Sequence, residues 1–507
     1  MERFLYIIEK GGNALPHPAV LFGILALTVL ALSALGAILG WSGMHPGTGN
    51  PVDVVNLLSR EGIHRVILGT VTNFTSFAPL GVVLVAMLGI GIADTSGLIR
   101  ATINYMLAKT PPTFITLMVV FVGVLSSVAV DVGYVLVIPL AGAIFHSLGR
   151  HPIAGIAAGF AGVSGGFAAN IVIAPLDPML AGLSTEAAQI IDPDYHVLPT
   201  AYYYFMVVST FLITLVCTIV TVKWVEPRLG KYTGDAEREE LVQLTALEKK
   251  GLFRVGLVLL CWLVLMLIVL VPENGLLRCN DGTLLHSPAL RGIITLLFLI
   301  AASVGIVYGF TVGTFKKTDD VVNAMGDSMK TIAAYLVLVF FMAQFVAWFN
   351  WSNLGMLLAI GGASVLQNAE VGPIPLIIIF ITLTAFINLF IGSASAKWAI
   401  LAPIFVPIFM LSGYSPELAQ TAYSIGDGVT TIITPLMPYF ALIIVFCQKY
   451  VNDAGIGTIA ATMLPYTICL YVSWTLLLVI WVLLELPLGP GSPLYYVITN
   501  QSGAAAL

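Results

Sequence analysis

Charge is what this chain has least of. Only 9% of its 507 residues are Asp, Glu, Lys or Arg, against roughly 25% in an ordinary soluble domain. A soluble body of this length would have too little polar surface, which excludes a soluble fold. The net charge of −5 leaves no broad basic face, so nucleic acid is not an expected partner. Cysteine is scarce as well. The five (Cys217, Cys261, Cys279, Cys447 and Cys469) are odd in number and show neither a disulfide framework nor metal-ligand spacing. The seven histidines are scattered, which argues against a metal centre, and no cofactor is expected.

What fills the chain is apolar: 59% of it, in recurring runs of membrane-crossing length. The expected fold is a single all-α polytopic membrane domain over residues 1–507. The first run, 19–41, is too long for a signal-peptide core and reads as a retained span. Lys and Arg mark cytoplasmic loops. Segment 223–254 carries Lys223, Arg228, Lys231, Arg238, Lys249, Lys250 and Arg254, and is placed inside. Arg3 and Lys10 put the N-terminus inside too, as Lys316, Lys317, Lys330 and Lys449 do for two later loops. Working outward gives about nine spans: 19–41, 80–106, 152–183, 201–222, 251–270, 293–312, 331–367, 417–446 and 459–486. The C-terminus falls outside. Segments 112–148 and 374–412 remain, and each reads as a hairpin that enters and leaves by one face.

These two segments are copies. At an offset of 264, Pro139 falls on Pro403, Gly149 on Gly413, Pro152 on Pro416 and Asp131 on Ser395. The spans that follow match at 260, with Gly166 on Gly426, Pro175 on Pro435, Pro178 on Pro438, Asn170 on Thr430 and Phe167 on Asp427. The first copy ends in Gly149-Arg150-His151 and the second in Gly413-Tyr414-Ser415, without a basic residue. The contrast places the ends on opposite faces, hence an inverted repeat of halves 79–222 and 331–450. Matched interruptions in inverted halves point to a binding site at mid-membrane, because broken backbone survives only against protein or a watery cavity.

The stretch FINLFIGSASAKWAILAPIF (386–405) concentrates the polar residues. Asp177 and Asp427 sit inside apolar spans, where a carboxylate costs a few kcal/mol. A functional role competes with a water-facing span end or a buried pair with Lys397. Asp131 is a similar case. Asn170, Asn388, Ser393, Ser395, Thr430 and Thr431 offer oxygens to a hard cation such as Na⁺, Asn388 and Asp427 above all. Alternatively, the hydroxyls cap broken helix ends or bond back to the helix. Lys397 pairs with Asp427, meets an anionic substrate, or snorkels to the surface. Trp398 is a packing residue or a flat face for an aromatic substrate.

Several stretches together resemble the AbgT family of p-aminobenzoyl-glutamate transporters: NALPHP (13–18), NFTSFAPLG (73–81), GRHPIAG (149–155), LSTEAA (183–188), VEPRLG (225–230), AQFVAWFNWSNLG (343–355) and WAILAPIFVPIFMLSG (398–413). The likeness runs essentially the whole chain. It implies a homodimer in the inner membrane, with nine spans and two re-entrant hairpins per subunit. It also implies ion-gradient-driven transport, on Na⁺ or H⁺, of p-aminobenzoyl-glutamate or sulfonamide-type antimetabolites. Asp177, Asn388, Trp398, Pro416 and Asp427 fall on the family's functional positions. The chain departs at Ser424, where Arg is expected in some relatives, and this raises the interest of Lys397.

Two other classes fit the sequence less well. An intramembrane protease would need a second catalytic Asp in a Tyr-Asp context, or a histidine near the GSASA loop, and no His lies downstream of His286. A channel would need a continuous polar stripe, whereas polarity reads as confined to the breaks. A Na⁺-coupled dicarboxylate or other organic-anion carrier with two hairpins is the alternative transporter.

Overall fold

The computed structural model describes residue 16 and residues 18–44, 50–128, 133–234, 244–279, 287–368 and 372–497. Among the described residues the only sheet is one antiparallel pair, β1 (Ser42–Met44) with β2 (Pro51–Asp53). Among these described residues, eight helices are long and apolar enough to cross a membrane, or nine if the bent pair Leu98–Ala108 and Pro112–Val128 counts as one span. Helix is the form expected where no water can satisfy backbone groups. The chain is a multi-pass, all-α membrane protein.

Helix α1 (Pro18–Ile38) is the first span. The segment that follows contains α2 (Arg60–Thr75), whose first turn is capped by Ser59 Oγ accepting from the Gly62 N–H at 3.1 Å. The single span expected over 80–106 is divided. Helix α3 (Ala78–Thr95) stops, Gly97 turns the chain at φ 86°, and α4 (Leu98–Ala108) leaves in a new direction. That left-handed turn is open to glycine at little cost.

The first inner group begins with α5 (Ile115–Leu125) and α6 (Ile138–Ser147), a helix–break–helix unit. Asp131 lies outside the described residues. Helix α7 (Pro152–Phe160) continues as a π-helical turn, Ala161–Gly165, then unravels until α8 (Leu176–Ala188). The crossing expected over 152–183 is therefore broken at its middle. Helix α9 (Tyr203–Val220) follows. Arg150 fastens this group at its base. Its guanidinium binds Glu226 in a two-pronged pair at 2.7 and 2.6 Å and donates to Thr116 Oγ1 at 2.8 Å, a geometry suited to a fixed clamp.

Helix α10 (Ala246–Leu270) starts from a capping box of Thr245 and Glu248. Only 11% of its most apolar window is buried within the chain, as expected of a helix facing lipid. Helix α11 (Ile293–Val312) packs between α10 and α3, and α12 (Thr318–Thr331) rests on α3. At the start of α12, backbone N–H groups of Lys316 and Lys317 hold the Asp320 carboxyl below the usual carboxylate range. Helix α13 (Ala333–Trp351) lies on α1. The interruption expected at 350–353 is a full stop: Asn353 adopts φ 61° and α14 (Leu354–Asn368) begins afresh.

The second inner group repeats the first. Helix α15 (Pro373–Asn388) is followed by a non-helical break and by α16 (Ala394–Leu411). Gly413 turns the chain at φ 87°, and Ser415 caps α17 (Pro416–Thr431). Residues 432–439 are irregular before α18 (Phe440–Gln448), so the expected crossing 417–446 is broken like its counterpart. Helix α19 (Ile456–Leu483) closes the bundle against α9 and α17.

The copies also pack alike. Helices α5 and α6 lie on α7 and its π turn, and α15 and α16 lie on α17. A Cβ on Gly166 would come within 2.6 Å of the Val124 side chain, and one on Gly426 within 2.7 Å of the Thr384 side chain. The two contacts are separated by the same 260 residues as the glycines themselves. Between the halves, a Cβ on Gly428 would stand 3.0 Å from the Gly165 carbonyl.

Candidate functional site

The break between α15 and α16 opens onto the middle of α17. Asn388 ends α15, and Ser393 begins α16 by accepting from the Ala396 N–H at 3.4 Å. Four residues into α16, Lys397 turns inward with 0% of its side chain exposed. Its ammonium is bound by Asp427 Oδ1 and by Asn388 Oδ1. The Asn388 amide then donates to the Asp427 carbonyl at 2.6 Å and to Thr430 and Thr431 Oγ1, both at 2.9 Å. Of the three readings for Lys397, the pair with Asp427 is the one this conformation adopts. Taking two charges out of water costs several kcal/mol each before attraction offsets it. A centre this expensive, at a helix break, is a candidate for chemistry that moves charge.

The first half holds the corresponding hydrogen bond with its partners exchanged. Asn170 donates to Ser127 Oγ at 2.8 Å, while its own carbonyl accepts from Ile171 and Val172 N–H groups at 2.8 and 3.2 Å. At an offset of 260, Asn170 falls on Thr430, and Ser127 within one residue of Asn388. The charges are not repeated: Phe167 stands for Asp427, and Gly133 for Lys397 at an offset of 264. The offset rises from 260 to 264 across the hairpin break, so the second break is longer by four residues, around the Gly392-Ser393-Ala394-Ser395 run.

A cavity of about 310 Å³ adjoins the charged centre. Asp427, Ser393, Ser395 and Thr431 supply its polar lining, and Tyr134, Phe167 and Tyr439 its aromatic lining. Tyr134, from the first hairpin, and Tyr439, from the second irregular segment, stack with centroids 4.4 Å apart and planes 9° apart. Both halves therefore contribute to one cavity. Neither tyrosine stands out in the sequence, although a signal was available. Tyr134 is the repeat counterpart of Trp398.

The remaining expected residues are placed elsewhere. Trp398 is fully enclosed. Its indole N–H donates to Ser184 Oγ at 3.0 Å, and its ring lies 4.5 Å from that of Tyr423. Asp177 sits between the cavity-lining Leu176 and Met179 but turns its carboxylate to the Ala174 N–H and the Tyr202 hydroxyl, both at 2.7 Å. That arrangement fixes the unravelled segment before α8. Pro416 opens α17, about three turns from Asp427.

Helix α17 carries more polarity than the sequence reading allowed. Glu417, Gln420, Ser424, Asp427 and Thr431 recur at spacings of three and four, so they share one helix face, and all but the partly buried Thr431 are fully buried. Glu417 accepts from the Tyr195 hydroxyl at 2.9 Å and Gln420 from Ser184 Oγ at 2.6 Å. This is a stripe along one helix, beyond the breaks themselves. Its period was present in the sequence.

Residues 3–496 match the AbgT putative transporter family. The chain belongs to the AbgT family. It is 39% identical over 485 residues to the p-aminobenzoyl-glutamate transport protein of Escherichia coli (strain K12), covering 96% of this chain and 95% of that one. Among solved structures, it resembles the YdaH transporter of Alcanivorax borkumensis, described as having an unusual topology, with a TM-score of 0.90 at 46% identity over 94% of this chain and all of the other. It also resembles Neisseria gonorrhoeae MtrF, described as illuminating a class of antimetabolite efflux pumps, with a TM-score of 0.91 at 48% identity over 97% of this chain and all of the other. In this AbgT chain Ser424 is buried and bonds back to the Gln420 carbonyl at 2.9 Å. Lys397, paired with the cavity-lining Asp427, brings a buried cation to the edge of this site.

Proposed function

We infer that this chain is a secondary transporter of p-aminobenzoyl-glutamate and of aromatic antimetabolites of the sulfonamide type, driven by an ion gradient. The observation that carries this is a single cavity lined both by Tyr134, Phe167 and Tyr439 and by Asp427, Ser393, Ser395 and Thr431. An aminobenzoyl ring suits the aromatic lining, and its amine suits a carboxylate or hydroxyl acceptor. The aromatic contact is assigned to Tyr134 and Tyr439, with Trp398 holding α16 against α8 behind them. The driving ion, H⁺ or Na⁺, acts at Asp427 and Asn388, with the oxygens of Ser393, Ser395 and Thr430 close by. Asn170 marks the equivalent place in the first half, and Asp177 and Pro416 set the backbone around the path.

Purified protein in proteoliposomes should accumulate p-aminobenzoyl-glutamate under an imposed pH or Na⁺ gradient. Succinate should compete poorly. The reverse preference would favour the dicarboxylate carrier. Tyr439→Ala should raise the KM for p-aminobenzoyl-glutamate several-fold through loss of an aromatic contact worth about 1 kcal/mol. An unchanged KM would move the ring-binding surface away from Tyr439.

Residues 79–222 and 331–450 are read as inverted halves of a protein in the inner membrane, N-terminus inside and C-terminus outside, working as a homodimer. The matched glycine contacts and exchanged Asn pairs support the repeat. The exposed residues Leu148 and Tyr495 lie beside the two hairpin bases. In a background without the native cysteines, Leu148→Cys should label from the cytoplasmic side and Tyr495→Cys from the opposite one. Labelling of both from one side would contradict inversion.

A further inference from the structure

The centre binds its own cation. Asp427 and Asn388, the two side chains best placed to hold a driving ion, both spend an oxygen on the Lys397 ammonium. Nothing in the repeat demands this, because the matched positions in the first half are Gly133 and Phe167. Gly133 has no room for a side chain: a Cβ there would meet Ser126 Oγ at 2.3 Å and Val163 Cγ1 at 2.7 Å. The lysine is a feature of the second half alone.

Its position relative to the cavity gives it a use. Asp427 lines the cavity, whereas Lys397, bonded to Asp427 Oδ1, does not line it, so the ammonium is separated from the cavity space by a single side-chain contact. The cavity wall beside it, Ser393 to Ser395, is the non-helical break and the first turn of α16. This is the part of α16 with the least regular backbone to hold it. At Ser424, three residues before Asp427, the chain offers only a hydroxyl, which bonds back to the Gln420 carbonyl.

Resting on the reading above, we propose that Lys397 is the carboxylate-recognising residue of the cavity, released for that role when a cation reaches Asp427. A proton or Na⁺ arriving at Asp427 neutralises the carboxylate that holds the ammonium. The ammonium is then buried without a counter-charge, which is strongly unfavourable, and a substrate carboxylate in the adjoining cavity supplies one. Ion and anionic substrate thereby favour each other's binding, because each removes the other's cost. A neutral aromatic ligand gains nothing from the release. The cavity thus takes two kinds of ligand, and only the carboxylate-bearing kind is coupled through the lysine.

Asp427→Asn imitates the neutralised state. In purified protein it should bind p-aminobenzoyl-glutamate on the order of tenfold tighter than wild type, within the usual range of site-to-site coupling. Binding of the neutral p-aminobenzamide, which has no carboxylate to offer the ammonium, should show no such gain. The gain should vanish in Asp427→Asn/Lys397→Met. Lys397→Met alone should lose the preference for p-aminobenzoyl-glutamate over p-aminobenzamide, which keeps the test open if Asp427→Asn yields no folded protein. Succinate is measured in parallel. A lysine-dependent gain for succinate without any binding of p-aminobenzoyl-glutamate would sink the aromatic-substrate reading and leave the lysine's role standing. No gain for any carboxylate, or a gain that survives loss of the lysine, overturns the proposal itself.

Discussion

Asp427→Asn should abolish gradient-driven transport and, in the same protein, lower stability by about 3–5 kcal/mol, the cost of leaving a buried partner uncompensated. The substituted amide keeps the shape of the side chain and can still accept a hydrogen bond from Lys397. It loses the charge that offsets the desolvation of the ammonium, and equally of any arriving ion. The double substitution Asp427→Leu/Lys397→Met removes both charges together. It should recover most of the lost stability, since apolar replacements of buried pairs are often close to neutral, yet remain without coupled transport. Unfolding in mixed detergent gives the first quantity, and proteoliposome uptake under imposed pH and Na⁺ gradients the second. Undiminished coupled uptake by Asp427→Asn would remove the carboxylate from the mechanism.

The separation of stability from transport matters because the centre has a structural role as well. Asn388 bonds the Asp427 carbonyl and both threonines of the last turn of α17, so it ties the end of α15 to that turn whether or not an ion moves. In the first half the equivalent tie, Asn170 to Ser127, exists without charges. The tie is therefore what the repeat requires of both halves. The ion pair is what the second half adds to it. An asymmetric device inside a symmetric frame fits a transporter in which one half carries the charge and both halves shape the cavity.

Much of the frame was legible in the sequence because composition and length alone determine it. The span expected over 293–312 is Ile293–Val312, and the interruption expected at 350–353 is the positive-φ stop at Asn353. Such features need only an apolar run or a turn residue. The division of 80–106 at Gly97 was missed, because a lone glycine in an apolar run also fits an uninterrupted helix. The partners of the site residues were harder to read. Lys397 and Asp427 are separated by a whole helix, and their contact depends on how α15, α16 and α17 pack. The exchanged Asn pair hides itself, since alignment places Asn170 on a threonine and only the contact shows that the pair is preserved. Trp398 drew attention by its size, whereas Tyr134, its repeat counterpart, faces the cavity.

Gly426→Ala should destabilise the protein by about 1–3 kcal/mol through overpacking, and Gly426→Val should leave little folded protein. The new Cβ would stand 2.6 Å from the Ile381 carbonyl and 2.7 Å from Thr384 Cβ, both on α15. Backbone cannot rotate away as a flexible side chain can, so α15 must move off α17. Asn388 rides on the end of α15 and reaches Thr430 one turn beyond Gly426, so the same displacement loosens the Lys397–Asp427 centre. Gly166→Ala should behave alike, because its Cβ would meet Val124 and the Gly162 carbonyl, each at 2.6 Å. Gly361, inside α14, provides the contrast. Nothing lies within 4 Å of its added Cβ, so Gly361→Ala should stabilise the helix by about 0.5–1 kcal/mol through reduced backbone entropy. The same substitution thus carries opposite signs at open and closed positions. Thermal unfolding of the three alanine variants in one detergent reads those signs directly. A stabilised Gly426→Ala would show that α15 and α17 are not held in contact there, and would detach the hairpin from the charged centre it is argued to position.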